Sequence, residues 1–382
     1  MKFTVTKSVF INALTPAMGT VSNKNTITSI EGILIETLDN GKITLSSYDM
    51  TKGIKSTFEP IEIEEYGKYI INAQRLFQTI RALPDGEITI EVNSKLNCTI
   101  TAGKASFSMF ATRGEDFPNL PELFSDRAFK ISTKILKMMI GKVSHSVAIV
   151  SDNRIMLTGA FFKIGKEKIE VVSCDNYTLS KCEVMCEVED ATEDNYSFII
   201  PGHALGEIVK ILPDDEDSKC NFYLSRKHAI IVLDDLIFFT RTIDSDYLDY
   251  NKIIPKDNSI TAIVNRERFL SGLERANIIA EEKIQGSGRS YVKLKVEENF
   301  ITITSTSVNG KVYDEMDCEH TGGDLEIGFN CRYLINNVKA AEGENIKITL
   351  KSPTDAITIE PNEEIENFNY FYMVVPLRMT EQ

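Results

Sequence analysis

A chain of 382 residues, 42% hydrophobic and 26% charged, is too long for one ordinary core and too apolar for wholesale disorder, which leaves two or three domains. Its net charge of −14 excludes a protein that coats nucleic acid with a uniformly basic surface, but not one with a basic stripe set in an acidic whole. Seven scattered cysteines make no dense disulfide framework, and MKFTVTKSVF places Lys7 where a signal peptide needs an apolar core. No window approaches the roughly 18 apolar residues of a membrane span. The expectation is a soluble, cytoplasmic chain without membrane contact.

In chain order, FTVTKSVFINAL (3–14) runs strand, polar cap, helix. YIINAQRLFQTIRALPDGEITI (69–90) then runs apolar strand, N-cap-like residue, helix, Pro/Gly turn, strand. Both patterns recur twice, as FKISTKILKMMI (129–140) with FIIPGHALGEIVKILPDDEDSKCNFYL (198–224), and as ITAIVNRERFLSGL (260–273) with EIGFNCRYLINNVKAAEGENIKITL (326–350). Leu76, Leu205 and Leu334 hold the same place, 129 residues apart. The intervening sequence alternates as strands do, in KITLSSYD, SYVKLKVEENFITITS and AITIE, and Asp39-Asn40-Gly41 and Glu297-Glu298-Asn299 punctuate it as turns. The chain reads as α+β: three similar domains over 1–126, 127–254 and 255–382, each with two strand–helix units and its own core.

Six helices are expected, over 7–19, 72–83, 132–145, 201–212, 265–280 and 330–341. All but the fourth carry net positive charge, so the acidity lies elsewhere. In 132–145 the stripe Leu136, Met139, Ile140 and Val143 is opposed by Lys134, Lys137 and Lys142. In 72–83 Leu76, Ile80 and Leu83 are opposed by Arg75 and Arg81; in 330–341 Leu334, Val338 and Ala341 are opposed by Arg332 and Lys339. One basic helix face is ordinarily a solvated surface. The same sign on repeated helices of an acidic chain points to a polyanion facing them.

Catalytic chemistry is not legible. QGSGRS (285–290) is a weak Gly-rich match, better taken as a loop before a strand. The four histidines are scattered singly, and Cys182 and Cys186 lack a second pair of zinc spacing, so buried free thiols outweigh a metal site. Asp214-Asp215-Glu216-Asp217 lacks the spaced ligands of a calcium loop and reads as a solvated turn. No catalytic residue, metal or cofactor is expected.

Five stretches carry a resemblance. GEDFPNLPE (114–122), MKFTV at the start, FFTRTIDSDYLDYNKIIPKD (238–257), DLEIGFNCRYL (324–334) and VVPLR (374–378) resemble, in order and spacing, the bacterial sliding clamps, the β subunit of DNA polymerase III. The resemblance implies a head-to-tail homodimer, a ring of six domains with helices lining the hole and sheets outside. It implies that double-stranded DNA threads the ring without sequence readout, that a clamp loader opens it, and that the DNA polymerase III catalytic subunit and other proteins bearing clamp-binding motifs insert peptides near the C-terminus. A clamp-fold scaffold or specialised paralogue, with altered DNA loading or partner preference, is the alternative.

By local alignment to that family, the partner pocket comprises Leu157, Cys174, Tyr177, Leu179, Leu248, Ile253, Asn330, Tyr333, Met373, Val374, Val375, Pro376, Leu377 and Arg378, with FYMVVPLRM (371–379) as an exposed apolar wall. Lys24, Arg75, Arg81, Lys134, Lys137, Lys142, Arg332 and Lys339 would face DNA; Phe107 and Met109 would meet Ile278 and Ile279 of a second subunit. The family's T-D-G-H-R-L stands here as CDNYTL (174–179), its usual basic pair after a strand-ending Pro as Gly202-His203, and the Pro of its F-P-D-Y as Leu248.

Overall fold

The computed structural model describes residues 1–22, 28–120, 127–150, 153–191, 196–225, 227–280, 291–307 and 310–379. The expected basic residue Lys24, the loop 285–290 and the boundary at 125–126 lie outside the described residues.

All six expected helices form: α1 (Lys7–Ala17), α2 (Ala73–Ala82), α3 (Thr133–Val143), α4 (Gly202–Ile211), α5 (Arg266–Ala280) and α6 (Cys331–Ala340). Each directly follows a strand, and short polar side chains stop the strand and start the helix. Thr6 accepts from Val9 N–H, Asn72 from Arg75, Asn265 from Arg268 and Asn330 from Arg332. The expected stripes are the buried ones, and Leu76, Leu205 and Leu334 are each within 1% of full burial.

The chain divides into two compact units: Met1–Lys134 with Glu189–Thr192 and His203–Thr242, and Ile135–Val188 with Glu193–Gly202 and Ile243–Gln382. The first holds a 13-stranded antiparallel sheet that runs from Arg127–Ser132 to Glu62–Glu65. Its continuity rests on the pairing of Leu236–Arg241 with Lys52–Phe58, in the register Phe238↔Ile54. The second unit holds a nine-stranded sheet, made continuous by Thr178–Met185 against Phe368–Val374 in the register Leu179↔Met373, and a four-stranded sheet running Lys311–Asp317, Phe300–Thr306, Val292–Glu297, Leu325–Phe329.

The middle third of the chain is thus shared out. Four of its strands extend the first unit's sheet and four extend the second's. The first and last thirds each bury a cluster of their own, around Phe10, Leu14, Leu76 and Ile80 and around Phe269, Leu273, Leu334 and Val338. Repetition in sequence marks the strand–helix units; strand pairing decides which units share a sheet.

Candidate functional site

The run FYMVVPLRM splits in two. Phe368–Val374 is a central strand, paired with Thr178–Met185 on one edge and Ile357–Pro361 on the other. Tyr372, Met373 and Val374 are buried there. Their apolar character is that of a sheet interior, which corrects the expectation that Met373 and Val374 form an exposed wall. Leu157, Cys174 and Leu179 are buried too and share one apolar cluster with Met373, against which Leu248 and Val375 pack. The four buried residues Leu157, Cys174, Leu179 and Met373 are a floor, not a lining.

Beyond Val374 the chain crosses to other partners. Val375 N–H donates to Tyr177 O at 2.8 Å and Leu377 N–H to Gly328 O at 2.8 Å. A Cβ at Gly328 would fall 2.9 Å from Met379 Cγ and 3.3 Å from Leu377 O, so glycine eases the close approach of this segment. Tyr333, on the first turn of α6 behind the Asn330 cap, stacks on Tyr177 with ring centroids 5.6 Å apart and planes at 16°. Asn176, at the glycine position of the T-D-G-H-R-L pattern, has φ +78° and supplies the left-handed turn that glycine otherwise would. At the surface the expected set therefore presents Tyr177, Ile253 and Arg378 exposed, with Leu248, Asn330, Tyr333, Val375, Pro376 and Leu377 half-buried around them. The exposed part of the set thus combines a stacked tyrosine pair with one guanidinium.

The basic helix faces divide. Arg75 and Arg81 are exposed on α2, opposite its buried stripe, with the Arg81 guanidinium 5.6 Å from the Phe77 ring centroid. Arg332 and Lys339 are exposed on α6, and Lys339 pairs with Glu274 of α5 at 2.8 Å. Lys134 is exposed and pairs with Glu216; Lys137 is half-buried.

Lys142 is a correction. It is 7% exposed, donates to Ala340 O at 2.6 Å, pairs with Glu342 at 2.6 Å, and sits over the rings of Phe368 and Tyr370. The lysine, on its four-carbon stem, joins the Tyr372 hydroxyl at a carbonyl at the end of a neighbouring helix, where its charge meets the negative end of the dipole. It caps α6 and does not face solvent.

Among the described residues no group of three or more His, Cys, Asp or Glu is placed to hold a metal ion. Cys182 is buried within its strand and Cys186 lies beyond the strand's end, both as free thiols. Burial pushes the Cys98, Cys182 and Cys220 thiols up to about 12, which leaves them protonated and inert. The acidic run 214–217 is an exposed turn in which Asp215 accepts from Asp217 N–H and from the Ser218 hydroxyl.

Sequence profiles of the DNA polymerase III beta subunit match almost the whole chain: the N-terminal domain over residues 1–121, the central domain over 130–249 and the C-terminal domain over 251–378. The chain belongs to the bacterial sliding-clamp family. The Beta sliding clamp of Bacillus subtilis is 27% identical over 390 residues, spanning 99% of this chain and 100% of the relative. The crystal structure of the DNA polymerase sliding clamp from Bacillus subtilis superposes with a TM-score of 0.89 at 26% identity, over 100% of both chains. A DnaN sliding clamp from Bartonella birtlesii, bound to griselimycin, gives 0.89 at 26% identity over 99% of this chain and 100% of that one. The chain is accordingly a three-domain α+β clamp subunit, a DNA sliding clamp with no catalytic role of its own.

Two of the strand edges in this clamp stand beside the predicted subunit contacts. In Ala105–Arg113, residues 105–110 pair only with Asn97–Ala102, while 111–113 turn to Tyr69–Ile71. Phe107 is 41% and Phe110 78% exposed along that edge; Met109 packs half-buried on the core beneath. In the second unit Lys311–Asp317 ends the four-stranded sheet and exposes Tyr313. Beside it on α5 stands Ile278, 71% exposed, with Ile279 half-buried. Phe110 and Tyr313 escaped the sequence reading. The signal was present in ASFSMF, where a large aromatic sits at the outward position of an alternating strand.

Proposed function

We propose that this clamp works as a head-to-tail homodimer whose six domains encircle double-stranded DNA without sequence readout. The ring is opened and closed by a clamp loader, and it tethers the DNA polymerase III catalytic subunit and other motif-bearing proteins through peptides laid in the groove beside Tyr177, Tyr333 and Arg378. The three domains divide near residues 126 and 254.

One observation carries this reading. Among its strand edges each chain has one beside the exposed Phe107 and Phe110 and another, in its last third, beside the exposed Ile278 and Tyr313. An unpaired apolar edge invites another strand, and two different edges on one chain give a heterologous contact, which makes a ring where the rotation closes. The exposed Arg75, Arg81, Arg332 and Lys339 then supply weak, sequence-blind phosphate contacts, while the acidic remainder discourages DNA elsewhere. Removal of Lys142 from that set, and His203 held by Thr51 Oγ1 at 3.3 Å where the family carries a basic residue, favour a clamp with a lighter grip on DNA.

Negative-stain electron microscopy and light scattering test the assembly. Wild-type protein is expected as closed six-lobed rings of dimer mass, and Ile278→Ala with Ile279→Ala as three-lobed monomers. A wild-type monomer, or a variant that stays dimeric, contradicts the assignment of these edges.

A further inference from the structure

The turn that carries Tyr177 in the second unit has a counterpart in the first. Asp175 Oδ1 accepts from the backbone N–H of Tyr177 at 2.9 Å and of Thr178 at 2.7 Å, and Asn176 stands at φ +78°. Asp49 Oδ1 accepts from the backbone N–H of Thr51 at 2.9 Å and of Lys52 at 2.8 Å, and Met50 stands at φ +75°. Val375 N–H donates to Tyr177 O at 2.8 Å; Arg241 N–H donates to Thr51 O at 2.8 Å. The strand registers agree as well, with Met373 opposite Leu179 and Phe239 opposite Gly53. Each turn adjoins an apolar cluster of its own unit, one with Cys174 and Met373, the other with Tyr48 and Phe239.

The two turns share a backbone and differ in what they display. Where one has Tyr177 and Val375, the other has Thr51 and Arg241. Arg241 is exposed and lies across the ladder from His228, and the next residue back, Lys227, is exposed too. Thr242 N–H donates to Lys227 O at 2.9 Å, which holds the strand end against the hairpin tip. On the other side Thr51 Oγ1 lies 3.3 Å from His203 Nε2. Met50, 42% exposed, stands at the tip of the turn. The nearby acid is already engaged: Asp49 binds its own turn and pairs with Lys52 at 3.2 Å, and Lys52 Nζ also donates to Gly19 O at 2.6 Å. Other lysines of this unit find carboxylates, Lys42 with Glu59, Lys210 with Glu207 and Lys219 with Glu189. Among the described residues Lys227 and Arg241 pair with none. Burial, and then the charges of Arg241 and Lys227, hold the His228 imidazole below its ordinary value. In a chain of net charge −14 this is a local excess of positive charge that an external anion would relieve.

We infer that the turn Asp49–Lys52, the strand end at Arg241 and the hairpin tip at Lys227 form a second docking site, in the first unit, for an acidic peptide segment. Its carboxylates would lie on Arg241 and Lys227 and an apolar side chain on Met50. A peptide suits the site better than a duplex does. The cations stand on a strand end and a hairpin tip, not along a helix face as Arg75 and Arg81 do, and Met50 offers apolar contact that a phosphate backbone cannot use.

The test uses full-length protein carrying Leu377→Asp, which blocks the groove near the C-terminus. A decapeptide is selected on it from a random library, labelled with fluorescein and titrated by anisotropy. The selected peptides should be rich in Asp and Glu around an apolar residue. Lys227→Glu with Arg241→Glu should weaken binding about 10-fold or more, and raising salt from about 50 to 300 mM several-fold. Lys227→Arg with Arg241→Lys, which keeps the charge, should stay within about threefold, which separates lost charge from lost folding. Met50→Ser should cost about 2- to 5-fold. Selected peptides that are not acidic, or that ignore the charge reversal, overturn the second site and leave the groove untouched. A labelled 20-base-pair duplex that loses affinity on the same reversal, while the acidic peptide does not, makes the patch a nucleic-acid contact and overturns the peptide site.

Discussion

Helices α2 and α3 look alike in sequence and differ in structure. Each buries a leucine–isoleucine stripe and opposes it with basic residues. On α2 the cations stay outside: Arg75 and Arg81 are exposed. On α3 the last cation is drawn in, and Lys142 caps α6 among Ala340 O, Glu342 and two aromatic rings. A basic face read from periodicity establishes which side of a helix is polar. It does not establish whether the charge is kept for an external polyanion or consumed by a neighbouring helix end. The difference lies in what packs nearby: the carbonyl at the end of α2, Leu83 O, is taken by Lys7 Nζ at 2.6 Å, whereas the one at the end of α6, Ala340 O, takes Lys142 of α3.

Substitutions should separate the two fates. Lys142→Ala has the largest expected effect. It removes a buried cation from a helix end and from Glu342, itself half exposed, and should lower unfolding free energy by about 2–3 kcal/mol in urea titration. The salt dependence of DNA binding should not change. A stable Lys142→Ala protein with a shallower salt slope would mean that Lys142 faces DNA after all.

Arg75→Ala with Arg81→Ala should do the reverse. Stability should stay within about 0.5 kcal/mol, while the slope of log K against log salt for duplex binding falls by about 1 per arginine that contacts phosphate. An unaltered slope would remove α2 from the DNA-facing set.

A smaller effect separates His145 from the other histidines. Burial pushes its pKa below the ordinary value, against the opposing pull of the hydrogen bond to Asn337. The unfolded chain therefore takes up a proton near about pH 6.5 and the folded chain only lower, so stability from neutral His145 is present above that pH and lost as pH falls. Wild-type protein should lose more stability than His145→Gln between pH 7.5 and 5.5. His203 and His228 are also shifted down by burial, but they contribute equally to both proteins and cancel in the difference. Equal losses would contradict the assignment.

The smallest change concerns thiols. In native protein, Cys186 should be the first to react with a maleimide, since every other cysteine is buried. Early labelling of Cys182 would mean that its strand does not sit where the nine-stranded sheet places it.

Much of the architecture was legible because it is local. The caps Thr6, Asn72 and Asn330 and the repeated stripes place all six helices to within a few residues. What was not legible depends on distant pairing. No local signal says that Leu236–Arg241 joins Lys52–Phe58, or that Lys142 meets a carbonyl 198 residues away. The groove was half legible. The resemblance named residues that the structure brings together, but burial separates the floor, Leu157, Cys174, Leu179 and Met373, from the surface, Tyr177, Ile253 and Arg378. An apolar run was taken for an exposed wall because sequence alone does not distinguish a binding surface from a central strand.

The central claim is topological: the protein holds DNA by enclosing it. The direct measurement loads the protein with a clamp loader onto nicked circular duplex, isolates the complex by gel filtration at moderate salt, and then cuts the circle once. Co-elution with the intact circle and release on linearisation are the predicted result. Retention unchanged by the cut would mean ordinary contact binding and would contradict a ring that slides.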